Sequence, residues 1–172
     1  KLIKPHILGH SFGGLITQQA ALLLPEYWTS YTLFCSGPGG RCGWMNDPQF
    51  QNLTNRSKAK IWQEILAPQY QANPRIELLK KRWLASDAVA TMTYREYLLS
   101  QPSQITELAK LNIPSHVVYG EQDDGWPPEV QNEMARELKS QLTILPKCGH
   151  CPNEENPQLT AEILSSYWNN FL

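Results

Sequence analysis

The sequence predicts an α/β fold: a parallel sheet of about four strands with flanking helices, interrupted by a helical insertion. Three observations predict it. Short apolar runs at residues 6–9, 31–36, 115–120 and 142–146 suit buried strands. Helical patterns at 12–24, 127–139 and 157–171 lie between or after them. The hexapeptide Gly9-His10-Ser11-Phe12-Gly13-Gly14 joins the first run to the first helix, and strand, G-x-S-x-G, helix is the setting of a nucleophile elbow. Strands that alternate with helices imply parallel pairing with right-handed crossovers.

The first strand begins near Pro5, a residue that weakens a strand start. The helix after the elbow, Leu-Ile-Thr-Gln-Gln-Ala-Ala-Leu-Leu-Leu, is stopped by Pro25. Pro127 and Pro128 stand where a helix can start at little cost, before the pattern that runs to 139. Between 37 and 112 no strand pattern appears. Gly37-Pro38-Gly39-Gly40 opens this interval as a loop, and helical stretches follow at 57–65, 75–84, 93–99 and 105–111. Insertions of this size in a compact domain are usually functional lids or binding segments. The organisation is therefore 1–36 (elbow strand, elbow helix and next strand), 37–112 (helical lid insertion) and 113–172 (the rest of the core). Trp44, Trp62, Trp83 and Tyr97 fall in the insertion. Most are expected to hold its small core, and one or two facing a cleft would line an apolar substrate pocket.

Composition excludes several classes of function. With 172 residues the chain can bury a sizeable single core. A net charge of −1 and 18% charged residues offer nothing to nucleic acid or an anionic membrane. No apolar run approaches the roughly 20 residues needed to span a bilayer. No basic segment followed by an apolar one is visible at the start, so a cytoplasmic location is the expectation. The four cysteines are Cys35, Cys42, Cys148 and Cys151. Cys148-Gly-His-Cys151 lacks a second pair at the spacing of a structural zinc site, and it does not open a thioredoxin-like helix. The expectation is reduced thiols, with no metal and no cofactor.

Chemistry concentrates on Ser11. A serine hydroxyl is a weak nucleophile until a base takes its proton. It must also stand clear of the backbone, which a sharp turn achieves when the residues two before and two after are small. Gly9 and Gly13 meet that condition, and Gly14 adds room for packing. The base should be a histidine oriented by an acid, in the chain order serine, acid, histidine. Of the four histidines, His6 and His116 lie within strands and His10 lies in the elbow. Only His150 follows a strand in a turn. The acid should come from another loop at the same sheet edge, where ligands of open α/β sheets bind. After the strand at 115–120 come Glu121-Gln122-Asp123-Asp124. Asp123 is preferred, with Asp124 in reserve, and one of the two serves only turn chemistry. The backbone N–H of Phe12 would point into an oxyanion hole. His10, Trp44 and Trp126 are candidates for a substrate pocket.

With Gly9–Gly14, Gly120-Glu-Gln-Asp123 and Gly149-His150 placed in order, the chain resembles the α/β-hydrolase superfamily. The likeness is to its cap-bearing branch of esterases, meta-cleavage-product hydrolases, proline iminopeptidases and cofactor-free haloperoxidases. It extends from the elbow strand to the C-terminus, and Glu155-Asn-Pro157 after His150 also matches. The resemblance implies a serine hydrolase acting on an ester or related acyl substrate, apolar by expectation, through an acyl-enzyme. Carboxylesterase is the default. C–C bond hydrolysis, an aminopeptidase or a receptor-like binding member are the alternatives. An aminopeptidase would need an acidic anchor in the insertion, for which Glu64, Glu77, Glu96 and Glu107 are available. The resemblance also implies that the chain is the C-terminal portion of the fold. The first strands, and the loop giving a second oxyanion donor, would then precede Lys1 and leave the elbow strand with an open edge. A portion without that donor could be inactive alone, since one donor is worth roughly 3 kcal/mol. Ser rather than Asp at the elbow disfavours the haloalkane dehalogenase branch.

Overall fold

A computed structural model of the chain describes residues 4–40, 57–71 and 73–172. Four strands form one sheet in the order β1-β2-β3-β4, all parallel. They are β1 (His6–His10), β2 (Ser30–Phe34), β3 (Ser115–Gly120) and β4 (Gln141–Leu145). Registers run Gly9 to Leu33, Leu33 to Val117 and Val117 to Leu142 across the sheet. Because every strand runs the same way, the loops after β1, β3 and β4 leave from one edge. That single fact positions the site.

Helix α1 (Phe12–Leu23) follows β1 and gives way to a short turn of 3₁₀ helix at Pro25–Tyr27. After residue 57 come α2 (Lys58–Ile61), a wide π turn (Trp62–Leu66), α3 (Ala67–Gln69), α4 (Ile76–Ala85), α5 (Ala88–Ser100) and α6 (Ile105–Leu108). Helix α7 (Pro128–Leu138) links β3 to β4, and α8 (Pro152–Glu155) and α9 (Pro157–Asn169) close the chain.

The core lies on the two central strands. Every residue of β2 and β3 is buried, and Leu33, Val117, Val118 and Leu145 are fully enclosed. Ala21 of α1 and Met134 and Leu138 of α7 pack into the same cluster. Each fully buried aliphatic side chain there stabilises by about 1.5–3 kcal/mol. Helix α7 is amphipathic: Val130, Gln131, Met134, Ala135 and Leu138 form its buried face. It stops at Lys139, which turns left-handed (φ 52°) and lets the Ser140 N–H reach the Ala135 carbonyl.

The run at 142–146 differs from the expectation of a buried strand. As β4 it is a sheet edge, with Leu142 and Ile144 about two-fifths exposed and only Leu145 buried.

The stretch at 57–65 is also less regular than its pattern predicts. Pro68 has no N–H for the Glu64 carbonyl, and the helix widens so that the Ala67 N–H bonds Trp62 instead. Conversely, α5 starts five residues before the pattern at 93–99, because Asp87 caps it by accepting from the Val89 N–H at 2.8 Å. A small cluster of Ile61, Ala88, Ile65, Leu66, Trp83 and Met92 holds α2 to α5 together. Lys58 is enclosed beside it and donates to the carbonyls of Leu84 (2.9 Å) and Ser86, where α4 ends.

Candidate active site

Ser11 stands between β1 and α1 with φ 55° and ψ −123°, a conformation that L residues rarely adopt. Its N–H donates to the Phe34 carbonyl at 3.0 Å, so the turn is tied to β2. The tight turn is possible because Gly9 lacks a side chain: a Cβ there would lie 2.1 Å from the Gly13 carbonyl oxygen and 2.4 Å from Thr17 Oγ1. Gly13 itself is different. A Cβ on it would meet no described atom within 4 Å beyond its chain neighbours and its own helix backbone, whereas one on Gly14 would strike Ser36 Oγ at 2.1 Å. The steric need two residues after the serine therefore falls one position later than the motif suggests.

The loop after β4 carries His150 to the same edge. His150 Nε2 lies 2.9 Å from Ser11 Oγ, and His150 Nδ1 lies 2.8 Å from Asp123 Oδ1. A carboxylate oxygen only accepts, so Nδ1 carries the proton and Nε2 is free to accept from the Ser11 hydroxyl. An imidazole so placed can take the serine proton, and the carboxylate fixes its tautomer and steadies the imidazolium that forms.

Asp123 is 4% exposed and its charge is well met. Besides His150, Oδ1 accepts from the Gly125 N–H (2.8 Å) and Oδ2 accepts from Gln131 Nε2 (2.8 Å). Asp124, the reserve acid, faces a different space: it lines a cleft of about 390 Å³ with His150, Tyr70 and Gln122. Burial raises the Asp124 carboxyl above its usual range.

Phe12 is the first residue of α1, so its N–H has no partner within the helix. Its ring packs against Tyr94 and Tyr97 of α5. His10 Nε2 donates to the His150 carbonyl at 2.7 Å, and the two rings lie 5.1 Å apart. Burial pushes His10 below the usual imidazole range. His10 also lines a cavity of about 470 Å³ with Trp62, Leu66, Tyr70, Trp83 and Cys151. The Cys151 thiol is pushed up to about 11 by burial, so it is protonated at neutral pH.

Two pocket expectations fare differently. Trp126 is 1% exposed and packs with Leu15, Leu98 and Val130, so its ring is core rather than pocket wall. It reaches that core because Gly37 offers no Cβ, which would sit 2.3 Å from the indole. Trp44 lies outside the described residues. The four carboxylates considered as amine anchors, Glu64, Glu77, Glu96 and Glu107, are all exposed.

Sequence reasoning gave no role to Gln131, Gly125 or Glu155. Gln131 had a signal: it is a polar residue on the apolar face of α7, 0% exposed. Glu155 accepts from the Gly149 N–H (2.6 Å) and the Cys151 N–H (2.8 Å); its signal was the family match of Glu155-Asn-Pro157, which gave it no contact. Among the described residues no group of three or more His, Cys, Asp or Glu is arranged to hold a metal ion. None of their helices is long and apolar enough to cross a membrane.

The chain is similar to known proteins. A sequence model of the alpha/beta hydrolase family matches residues 2–163. The uncharacterised hydrolase YugF of Bacillus subtilis is 25% identical over 194 residues, covering 94% of this chain and 64% of that protein. A 2-succinyl-6-hydroxy-2,4-cyclohexadiene-1-carboxylate synthase from Enterobacter is 33% identical over 78 residues, 45% of this chain and 28% of that enzyme. Among solved structures, a thermophilic esterase from Thermogutta terrifontis superposes with a TM-score of 0.73 at 19% identity, covering 96% of this chain and 65% of that one. A 2-hydroxy-6-oxo-6-phenylhexa-2,4-dienoate hydrolase from Rhodococcus superposes with a TM-score of 0.72 at 20% identity, covering 95% of this chain and 63% of that one. The chain spans less than two thirds of the length of each of these proteins.

Proposed function

The chain belongs to the alpha/beta hydrolase family, and from that premise we propose that it carries the reacting residues of a serine hydrolase acting on an ester or related acyl substrate. One observation carries the reading: a continuous line of hydrogen bonds from Ser11 Oγ through His150 to Asp123, at 2.9 and 2.8 Å. Ser11 attacks the acyl carbon while His150 takes its proton. His150 then protonates the leaving group, and an acyl-serine remains. Water, deprotonated by the same imidazole, releases the acid and restores Ser11. Asp123 holds the histidine tautomer throughout, and the Phe12 N–H receives part of the oxyanion charge.

The insertion at 37–112 acts as the lid in this reading. Its Trp62, Leu66 and Trp83 face His10 across the cavity of about 470 Å³, which suits an apolar acyl or alcohol group.

A fluorophosphonate tests the proposal, because it phosphonylates an activated serine. Peptide mapping should find the adduct on Ser11 of the wild-type chain. Ser11→Ala should lose both the label and any turnover of a p-nitrophenyl ester. No label on Ser11 in the full-length protein that carries this chain would sink the enzyme reading in favour of a binding role.

A further inference from the structure

We propose that His10 and Glu155 are positioning residues that grip the backbone on both sides of His150. The inference rests on the reading above, in which His150 is the base. The base sits in an irregular loop. Lys147 is left-handed there (φ 57°), and no strand or helix holds residues 146–151. An imidazole on such a loop inherits every displacement of its backbone.

Two side chains bond three of the backbone polar groups around His150. The Glu155 carboxylate accepts from the Gly149 N–H through Oε2 (2.6 Å) and from the Cys151 N–H through Oε1 (2.8 Å). It thus spans His150 with two charge-assisted bonds. His10 Nε2 donates to the His150 carbonyl at 2.7 Å. The two grips come from opposite sides in sequence. Glu155 ends the short helix α8 just after the loop, and its own N–H bonds the Cys151 carbonyl at 3.0 Å. His10 ends β1, directly before Ser11.

This adjacency gives the arrangement its consequence. One residue of the elbow holds the His150 backbone while the next presents the hydroxyl to its ring. The distance between Ser11 Oγ and His150 Nε2 is thereby set by neighbouring residues of one rigid strand end. The Asp123 bond alone would fix the ring's rotation but not the place of its backbone. A displacement of about 1 Å at such a contact can slow a reaction a hundredfold.

The test is the second-order rate of fluorophosphonate labelling of Ser11, read beside the downfield proton resonance of His150 Nδ1–H. Glu155→Ala should label about ten to a hundred times more slowly than wild type, with that resonance shifted or broadened. Glu155→Gln keeps one acceptor oxygen and should recover part of the rate. His10→Phe keeps a ring but not the donor and should slow labelling as well, whereas His10→Gln should recover part of it. If Glu155→Ala does not unfold cooperatively, the Glu155→Gln and His10→Phe rates decide the matter. Wild-type rates and an unchanged resonance in the folded variants would overturn the proposal. So would slower labelling that tracks lost stability while the resonance stays put. Failure of wild-type Ser11 to label at all would instead overturn the function proposed above.

Discussion

Gly125 lies against the imidazole of His150 with no room for a methyl group: a Cβ on it would sit 2.4 Å from both Nδ1 and Cε1. The same residue donates its N–H to Asp123 Oδ1, so it touches both partners of the histidine–carboxylate bond. Gly125→Ala must therefore push the ring or open the loop. Labelling of Ser11 by a fluorophosphonate should fall by about ten- to a hundredfold, while the unfolding temperature moves only a few degrees. A variant that labels at the wild-type rate would mean that the ring has slack to yield.

Gln131 should matter to Asp123 more than its place on a helix suggests. Its Nε2 donates to Asp123 Oδ2 and to the Trp126 carbonyl, both at 2.8 Å, and it is fully buried. Gln131→Leu leaves a buried carboxylate oxygen short of a donor, at a cost of about 1–3 kcal/mol. Gln131→Glu goes further by setting a second carboxylate against the first. Urea unfolding at pH 7 should rank the proteins wild type, then Gln131→Leu, then Gln131→Glu. Equal midpoints for the two variants would show that charge at this position is of no account.

Helix α5 offers a local test away from the site. Asp87 accepts from the Val89 N–H at 2.8 Å and supplies the cap that starts the helix five residues ahead of its apolar pattern. Asp87→Ala should cost about 1 kcal/mol, and Asp87→Ser much less. Chemical denaturation of the three proteins checks the order, and identical stabilities would deny the cap any part in holding α5.

The comparison of sequence with structure follows a physical divide. Ser11, Asp123 and His150 were legible because each follows a short apolar run that reads as a strand, and parallel strands send such loops to one edge. Periodicity carries that much. It does not carry contacts between side chains and distant backbone. Glu155 belongs to a stretch that matches the family, but the sequence does not say which backbone it bonds, and Trp126 reads as a cleft aromatic until Gly37 is seen to admit it to the core. The π turn at Trp62–Leu66 was hidden for another reason: a proline's missing N–H alters the ladder four residues before it without disturbing the apolar spacing. Burial of β4 was overestimated because Leu142, Ile144 and Leu145 make its run as apolar as a central strand's, and the sheet order puts it at an edge.

The last prediction concerns acid. His116 on β3 is 0% exposed, with Nε2 2.8 Å from Thr143 Oγ1 and its ring 4.4 Å from that of Tyr167. Its Nδ1 has no hydrogen-bond partner among the described residues. Burial pushes the imidazole down to about 4 from the ordinary 6.5, because the charged form would lose its hydration in the core. The sign follows from linkage. The unfolded chain binds the proton near pH 6.5 and the folded chain does not, so lowering the pH favours unfolding. The stability tied to neutral His116 is complete above pH 6.5 and is lost as pH falls from there toward 4, by about 3 kcal/mol in total. Other groups also exchange protons as the pH falls, so the measurement must be a difference. Urea midpoints of wild type and His116→Gln should be compared at pH 7.5, 6, 5 and 4.5. His116→Gln should be the weaker at pH 7.5, since it gives up the ring contact with Tyr167, and its deficit should shrink steadily toward pH 4.5. A deficit that stays constant with pH would show that the buried imidazole takes up its proton without cost.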